Sequence, residues 1–228
     1  MQRIFDIIFA LLALIILSPL LVPITFLLVM TGEGEVFYLQ ERIGKHRKIF
    51  KIYKFATMFK NSASVGTGTV TIKNDPRILP LGKFLRKSKI NELPQLLNIL
   101  FGDMSVIGPR PLTEETFSAY TDQIKNTIAK VRPGLSGIGS IIFRGEEDIL
   151  AGSNGSLAFY RITIAPYKGA LEVWFVENCT ILNYFKAIII TIVVVIFRKS
   201  RIAWSMFDGL PVPPDELKNI LNFVDIKQ

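Results

Sequence analysis

The residues best suited to chemistry lie in one stretch, Arg86-Lys-Ser-Lys-Ile-Asn-Glu-Leu-Pro-Gln-Leu-Leu-Asn-Ile-Leu-Phe-Gly102. Asn91 reads as a helix N-cap, with Pro94 tolerated in the first turn because the earliest helical N–H groups have no intrahelical partner. Glu92 sits where a negative charge gains from the helix dipole, and Lys83, Arg86, Lys87 and Lys89 crowd the approach. A helix start ringed by cations is a ready place for phosphate. The same pattern also describes a capped amphipathic helix with a solvated basic flank and no ligand.

Three further groups carry reactive types. Phe143-Arg-Gly-Glu-Glu-Asp148 sets Glu146, Glu147 and Asp148 beside Arg144. Such a cluster can hold Mg²⁺ or act as acid or base, and it can equally be a solvated acidic turn. Gly108-Pro-Arg-Pro111 is a rigid turn presenting Arg110, and the stretch from Arg132 to Gly139 is a glycine-rich turn with an arginine. The second turn has neither the spacing nor the strand context of a Walker loop or a dinucleotide fingerprint. His46 is the only histidine and lies in a basic run, which argues against a Ser-His-Asp triad. The single cysteine, Cys179, excludes an internal disulfide and gives no metal-site spacing.

These residues sit in a chain of 228 residues, half of them hydrophobic, with a net charge of +8. The size suits one good-sized domain, or a domain plus an anchor, and the charge suits an anionic membrane, a nucleotide or a nucleic acid. Residues 4–30 are almost wholly apolar. A straight helix of that length reaches about 40 Å, more than the roughly 30 Å of a hydrocarbon core. No small-residue cleavage site follows it, so it reads as an anchor rather than a signal peptide. Pro19 cannot donate to the carbonyl of Ile15, nor Pro23 to that of Pro19, so the helix should bend. Two structures follow: a kinked spanning helix, or a helix-break-helix entering and leaving on one face, with generic precedent favouring spanning.

Val36 to Gly44 alternates enough for a short strand ending in a glycine turn. The next segment mixes Lys45, His46, Arg47, Lys48, Lys51 and Lys54 with Phe50, Ile52, Tyr53 and Phe55, which suits a headgroup interface. No recognition-motif spacing accompanies it, so nucleic acid is the weaker reading. Residues 61–74 read as a mobile Ser/Gly/Thr-rich loop, Asn74-Asp-Pro-Arg77 as a turn, and 81–88 as a basic helix. Residues 113–131 read as one exposed helix capped by Thr113, and 168–178 read as helical. Ala187 to Phe197 is apolar and about 16 Å long if helical, too short to span but suited to burial or to the interface. The tail from Pro211 carries little legible chemistry.

Together these segments resemble the bacterial sugar transferase family, the monotopic polyprenyl-phosphate phosphoglycosyl transferases. The matching blocks are Gly34 with Val36-Phe-Tyr and Gln40-Glu-Arg-Ile-Gly44, Ile52-Tyr-Lys-Phe with Thr57-Met58, and Asn74-Asp-Pro-Arg77. They continue through Gly82-Lys-Phe-Leu-Arg86, Glu92-Leu-Pro-Gln95, Gly102-Asp-Met-Ser105, Gly108-Pro-Arg-Pro111 and Arg132-Pro-Gly134, in the family's order. The resemblance implies a mainly helical α+β protein with amphipathic interface helices. It divides the chain into a re-entrant anchor over 1–32, broken at Ser18-Pro19, a cytoplasmic catalytic domain over 33–205 and a tail over 206–228. The location implied is the bacterial inner membrane, facing the cytoplasm.

The implied reaction moves a sugar-1-phosphate from a nucleotide diphosphosugar, usually a UDP-sugar, to undecaprenyl phosphate, and releases the nucleoside monophosphate. It implies Mg²⁺, contact with membrane lipid and no nucleic acid. In the family an adjacent Asp-Glu pair does the chemistry, the aspartate attacking the sugar-bearing phosphate and the glutamate helping to hold Mg²⁺. The glutamate maps onto Glu92 and the aspartate onto Asn91. A carboxamide is a very poor phosphoryl nucleophile and a weak carbonyl donor to Mg²⁺, although Asn caps a helix about as well as Asp.

Three readings stand open: an inactivating substitution, a variant route, or a non-catalytic membrane partner that binds nucleotide sugar or polyprenyl phosphate. The variant route uses Glu146, Glu147 or Asp148, or direct attack by the lipid phosphate. Ala56 stands where the family often has Arg, and Phe143-Arg-Gly-Glu-Glu147 where it usually has Gly-Arg-Asn. Arg86, Arg110, Arg132 and Arg144 are candidates for diphosphate or lipid-phosphate contacts, because the guanidinium fork suits phosphate oxygens. Surface ion pairing is the alternative for each.

Overall fold

The structure is a computed structural model and describes residues 1–31, 33–62, 75–144, 159–197 and 200–223. In chain order the elements begin with α1 (Gln2–Thr31), β1 (Phe37–Ile43), β2 (Ile49–Phe55), α2 (Pro80–Lys87), α3 (Gln95–Phe101) and β3 (Ser105–Ile107). Then come α4 (Glu114–Ser118), α5 (Asp122–Ile128), β4 (Gly134–Ser136) and α6 (Ile138–Ile142). Last are α7 (Ala165–Glu177), α8 (Ile181–Ile196), α9 (Ile202–Met206) and α10 (Asp215–Lys218). A π-helical turn, Tyr160–Ile164, runs into α7. The described residues are mainly helical with two small sheets, β1-β2 and a parallel β3-β4 pair. The chain divides into two compact units.

One unit comprises Ile7–Glu41 and Lys51–Gly102. Ile24 and Leu28 of α1 pack with Phe55 of β2 and Leu85 of α2 into a small core, flanked by Leu21, Val36, Leu81 and Ile90. Asn98 is fully buried on α3, where its Oδ1 accepts the Tyr53 N–H at 2.9 Å and its Nδ2 donates to the Lys51 carbonyl at 2.8 Å. A carboxamide that satisfies two ladder groups of β2 fixes that strand against α3 without leaving a buried polar atom unmade.

The other unit comprises Met1–Asp6, Arg42–Phe50 and Asp103–Gln228. Its core joins Leu112, Phe117, Tyr120, Ile128 and Ala165. Asp6 is 2% exposed and accepts from Ser105 Oγ at 2.8 Å, Val106 N at 2.9 Å and Tyr184 Oη at 2.8 Å. The first turns of α1 are thereby tied to β3 and α8 through one buried carboxylate. α8 is two-faced: Tyr184, Ala187, Ile190 and Val194 are buried, while Leu182, Ile189, Ile192, Val195 and Ile196 are exposed. That exposed stripe suits an interface with lipid.

α1 is long and apolar enough to cross a membrane, and large side chains from Ile4 to Met30 stand exposed along it. It runs as one helix through Ser18 and Pro19, where the sequence expects a break. The Ile15 carbonyl, left without its helical donor by Pro19, accepts the Ser18 hydroxyl at 2.8 Å. A side-chain donor of this kind lets a proline stay inside an apolar helix.

Three other expectations are corrected. Asn91 does not cap a helix: it lies within a 3₁₀ turn, Ile90–Glu92, and Pro94 is the N-cap of α3. Leu93 N–H reaches only to Ile90 O, and Pro94 has no N–H, so regular helix begins after it. The stretch 113–131 is two helices rather than one. Thr113 does cap the first, but Thr121 Oγ1 accepts the Ile124 N–H and starts a second, while Tyr120 between them is drawn into the core. Within the stretch 132–139, expected to be a glycine-rich turn, Gly134–Ser136 is a strand, paired in register as Ser105 with Gly134 and Ile107 with Ser136. The expected loop lies outside the described residues over 63–74.

Candidate active site

In the first unit described, Gly82 lets α2 lie directly on the backbone of Thr57, since a Cβ there would stand 2.2 Å from the Thr57 carbonyl oxygen. Leu79 N–H donates to that same oxygen at 3.0 Å, and Arg86 Nη1 reaches Thr57 Oγ1 at 3.4 Å. Behind this contact Asp75 and Arg77 form a buried fork, with Nε to Oδ1 at 2.9 Å and Nη2 to Oδ2 at 2.6 Å. Arg77 also donates to the Ser62 carbonyl, so the Asp-Pro-Arg segment read as a turn is a fixed brace.

Past α2 the chain reverses at Lys89, whose φ of 61° is left-handed. This turn delivers Asn91 and Glu92. Asn91 is 8% exposed and its Oδ1 has no hydrogen-bond partner among the described residues. Glu92 is half-buried. A buried carbonyl oxygen left unpaired costs free energy, so a position that keeps one is a candidate for a ligand. Arg86, Asn91 and Glu92 all belong to this unit.

Arg110, Arg132 and Arg144 belong to the other. The turns carrying Arg110 and Arg132 lie against each other, because Gly108 N–H donates to Ser136 O and Gly134 N–H to Pro109 O at 2.8 Å. A Cβ on Gly134 would stand 2.1 Å from Gly108 N, so only glycine allows this approach. The Arg110 residue is exposed, while its backbone N–H donates to Glu172 Oε1 at 3.3 Å.

Sequence reasoning missed Glu172. It is 2% exposed on α7, and its Oε2 has no partner among the described residues. Burial pushes its carboxyl up to about 7; the Arg110 N–H, the Lys168 charge and the Gly139 N–H pull the other way. Lys168, one turn earlier and also buried, holds its Nζ 5.8 Å from the centre of the Phe143 ring. Lys168, Leu171, Glu172 and Phe175 make one buried face of α7. The signal was therefore present: a Lys/Glu pair at i,i+4 on the apolar side of a helix.

Glu146, Glu147 and Asp148 lie outside the described residues. Among the described residues no three of His, Cys, Asp and Glu come together to hold a metal ion.

A helix long and apolar enough to cross a membrane and cationic turns built on glycine contacts are features suited to lipid and to phosphate. The sequence places the protein further: residues 1–198 match the family described as bacterial sugar transferase, and the chain belongs to that family. It is 32% identical over 212 residues to the undecaprenyl-phosphate galactose phosphotransferase of Salmonella typhimurium, covering 87% of this chain and 41% of that protein. It is 35% identical to the UDP-glucose:undecaprenyl-phosphate glucose-1-phosphate transferase of Klebsiella pneumoniae, covering 82% of this chain and 40% of that protein. With the exopolysaccharide production protein ExoY of Sinorhizobium fredii it shares 38% identity, over 64% of this chain and 70% of that one. The chain thus spans well under half of the first two relatives.

Proposed function

We propose that the protein transfers a sugar-1-phosphate from a nucleotide diphosphosugar, a UDP-sugar by its relatives' names, to undecaprenyl phosphate, the first membrane step of a surface glycan. The observation that carries this reading is the buried Oδ1 of Asn91, without a partner among the described residues, next to Glu92 at the end of a turn that follows Arg86, Lys87 and Lys89. An oxygen acceptor and a carboxylate among cations suit a diphosphate that arrives with a hard cation.

The donor set fits Mg²⁺. That ion is commonly held by one or two carboxylates together with substrate phosphates and water, so it needs no all-protein cage. Glu92 would hold it, with the Asn91 carbonyl as a weaker donor. When bound, Mg²⁺ would offset charge developing on the phosphate oxygens.

Asn91 does not attack phosphorus. The route that needs no protein nucleophile is direct: a lipid-phosphate oxygen forms a bond to the sugar-bearing phosphorus, and the bond from that phosphorus to the bridging oxygen breaks. The nucleoside monophosphate leaves with the bridging oxygen. Arg86, Arg110, Arg132 and Arg144 are the candidates to orient the phosphates and stabilise the charge. A carboxylate at Glu146, Glu147 or Asp148 is the other nucleophile this chain offers.

Residues 1–32 act as a monotopic anchor in the bacterial inner membrane with both ends facing the cytoplasm, the re-entrant turn at Ser18-Pro19 being made in the bilayer within the helix that runs through those residues. Residues 33–205 carry the reaction, and 206–228 form a tail. The missing carboxylate at Asn91 favours one second reading, a non-catalytic partner that binds nucleotide sugar or polyprenyl phosphate. Release of nucleoside monophosphate only when both substrates are present separates the two.

A further inference from the structure

In the unit of Met1–Asp6, Arg42–Phe50 and Asp103–Gln228, a cavity of about 140 Å³ opens among Gln2, Arg3, Lys45, Lys130 and Arg132. Four cations reach it from three separate segments of chain. Among the described residues its one carboxylate is Asp6, which accepts from Ser105, Val106 and Tyr184. Four cationic side chains against this one acid leave the lining with an excess of positive charge. The start of α1 adds to it, since a helix N-terminus carries partial positive charge and the first turn of α1 holds no acid. The volume is well above the roughly 10–15 Å³ that one water needs, and its walls combine the cationic side chains with apolar ones such as Ile107 and Phe175.

The fold holds Lys45 there at a cost. His46 and Arg47, which follow it, both adopt left-handed φ, 56° and 59°, which is unfavourable for residues with a side chain. The strained turn is held by His46 N–H donating to Ala129 O at 2.7 Å, by Arg47 Nη2 donating to Asn126 at 2.6 Å and by the Arg47 guanidinium over the Phe117 ring. The first of these contacts brings Lys45 beside the segment that carries Lys130 and Arg132.

We propose that this cavity is a phosphate-binding site formed by Arg3, Lys45, Lys130 and Arg132, the Gln2 amide being held in the wall by its donation to Ser105 Oγ and the Ile107 carbonyl. It deepens the transferase reading in sharing Arg132 with it, but phosphate binding here does not require turnover. A lipid headgroup and a soluble phosphate offer the same chemistry. Ile4, 61% exposed next to Arg3, marks where acyl chains would continue from a bound headgroup.

The test uses the full chain in phosphatidylcholine nanodiscs. Inorganic pyrophosphate is titrated by calorimetry, and in a second arm phosphatidic acid is added to the discs and its retention read by native mass spectrometry. Three proteins are compared: the parent, Lys45→Gln/Lys130→Gln, and Arg201→Gln/Lys218→Gln as a charge-matched control. The site predicts that binding in at least one arm weakens roughly tenfold or more in the first variant and less than twofold in the control, with thermal midpoints unchanged. Loss confined to phosphatidic acid assigns a lipid headgroup, and loss that includes pyrophosphate assigns a soluble phosphate. No binding by the parent in either arm, equal weakening in both variants, or no weakening in either overturns the proposal. Because no arm reads turnover, an inactive enzyme leaves the result interpretable.

Discussion

Glu172 accepts the backbone N–H of Arg110 at 3.3 Å, so a buried acid on α7 holds the turn that presents a candidate phosphate ligand. Its carboxyl is raised from the ordinary 4.5 to about 7, chiefly by burial, against the opposing pull of Arg110 and Lys168. Between those values the folded protein binds more protons than the unfolded chain. Stability should therefore fall as pH rises from about 4.5 to about 7 and then level off. The whole effect is on the order of 3 kcal/mol. Glu172→Gln keeps an acceptor for Arg110 and should flatten that dependence, read as thermal midpoints across the window.

Asp6 should behave in the opposite sense to a dispensable surface acid. Asp6→Ala leaves donors from Ser105, Val106 and Tyr184 buried without their acceptor. The expected loss is about 3 kcal/mol or more, whereas Tyr184→Phe, which removes one donor, costs about 1.5–3 kcal/mol. Denaturant midpoints in detergent rank the two, and the alanine variant should be the less stable.

Gly82→Ala forces a Cβ to within 2.2 Å of the Thr57 carbonyl, a backbone atom that cannot swing aside. The variant should lose about 1–3 kcal/mol of stability. It should also lose turnover beyond its loss of folded protein, because Arg86 is set against Thr57. Activity per folded molecule separates those effects.

The long apolar N-terminal helix, β1, the basic helix expected over 81–88, the Thr113 cap and the apolar run 187–197 were legible because each depends on local pattern or capping chemistry. What stayed hidden was tertiary. Asn91 was misread as a cap because its side chain suits one, whereas the left-handed Lys89 and the missing N–H of Pro94 delay the helix. Gly134 signals a turn locally, and only the close passage of Gly108 makes it a strand. Glu172 went unread because its burial depends on the glycine at 139, which lets α6 close over its carboxylate.

If the lipid phosphate is the attacking group, Glu146→Gln and Glu147→Gln should each keep turnover within a few-fold of the parent. A loss of two orders of magnitude or more in either would move the nucleophile to that segment.

The most direct measurement is nucleoside monophosphate release by the purified chain with Mg²⁺ and a UDP-sugar panel, with and without undecaprenyl phosphate, beside Glu92→Gln and Asn91→Asp. The account predicts release by the parent only when the lipid is present, and none from Glu92→Gln. A parent silent across the panel while Asn91→Asp releases the monophosphate would contradict it, and so would a stoichiometric burst from the parent without lipid.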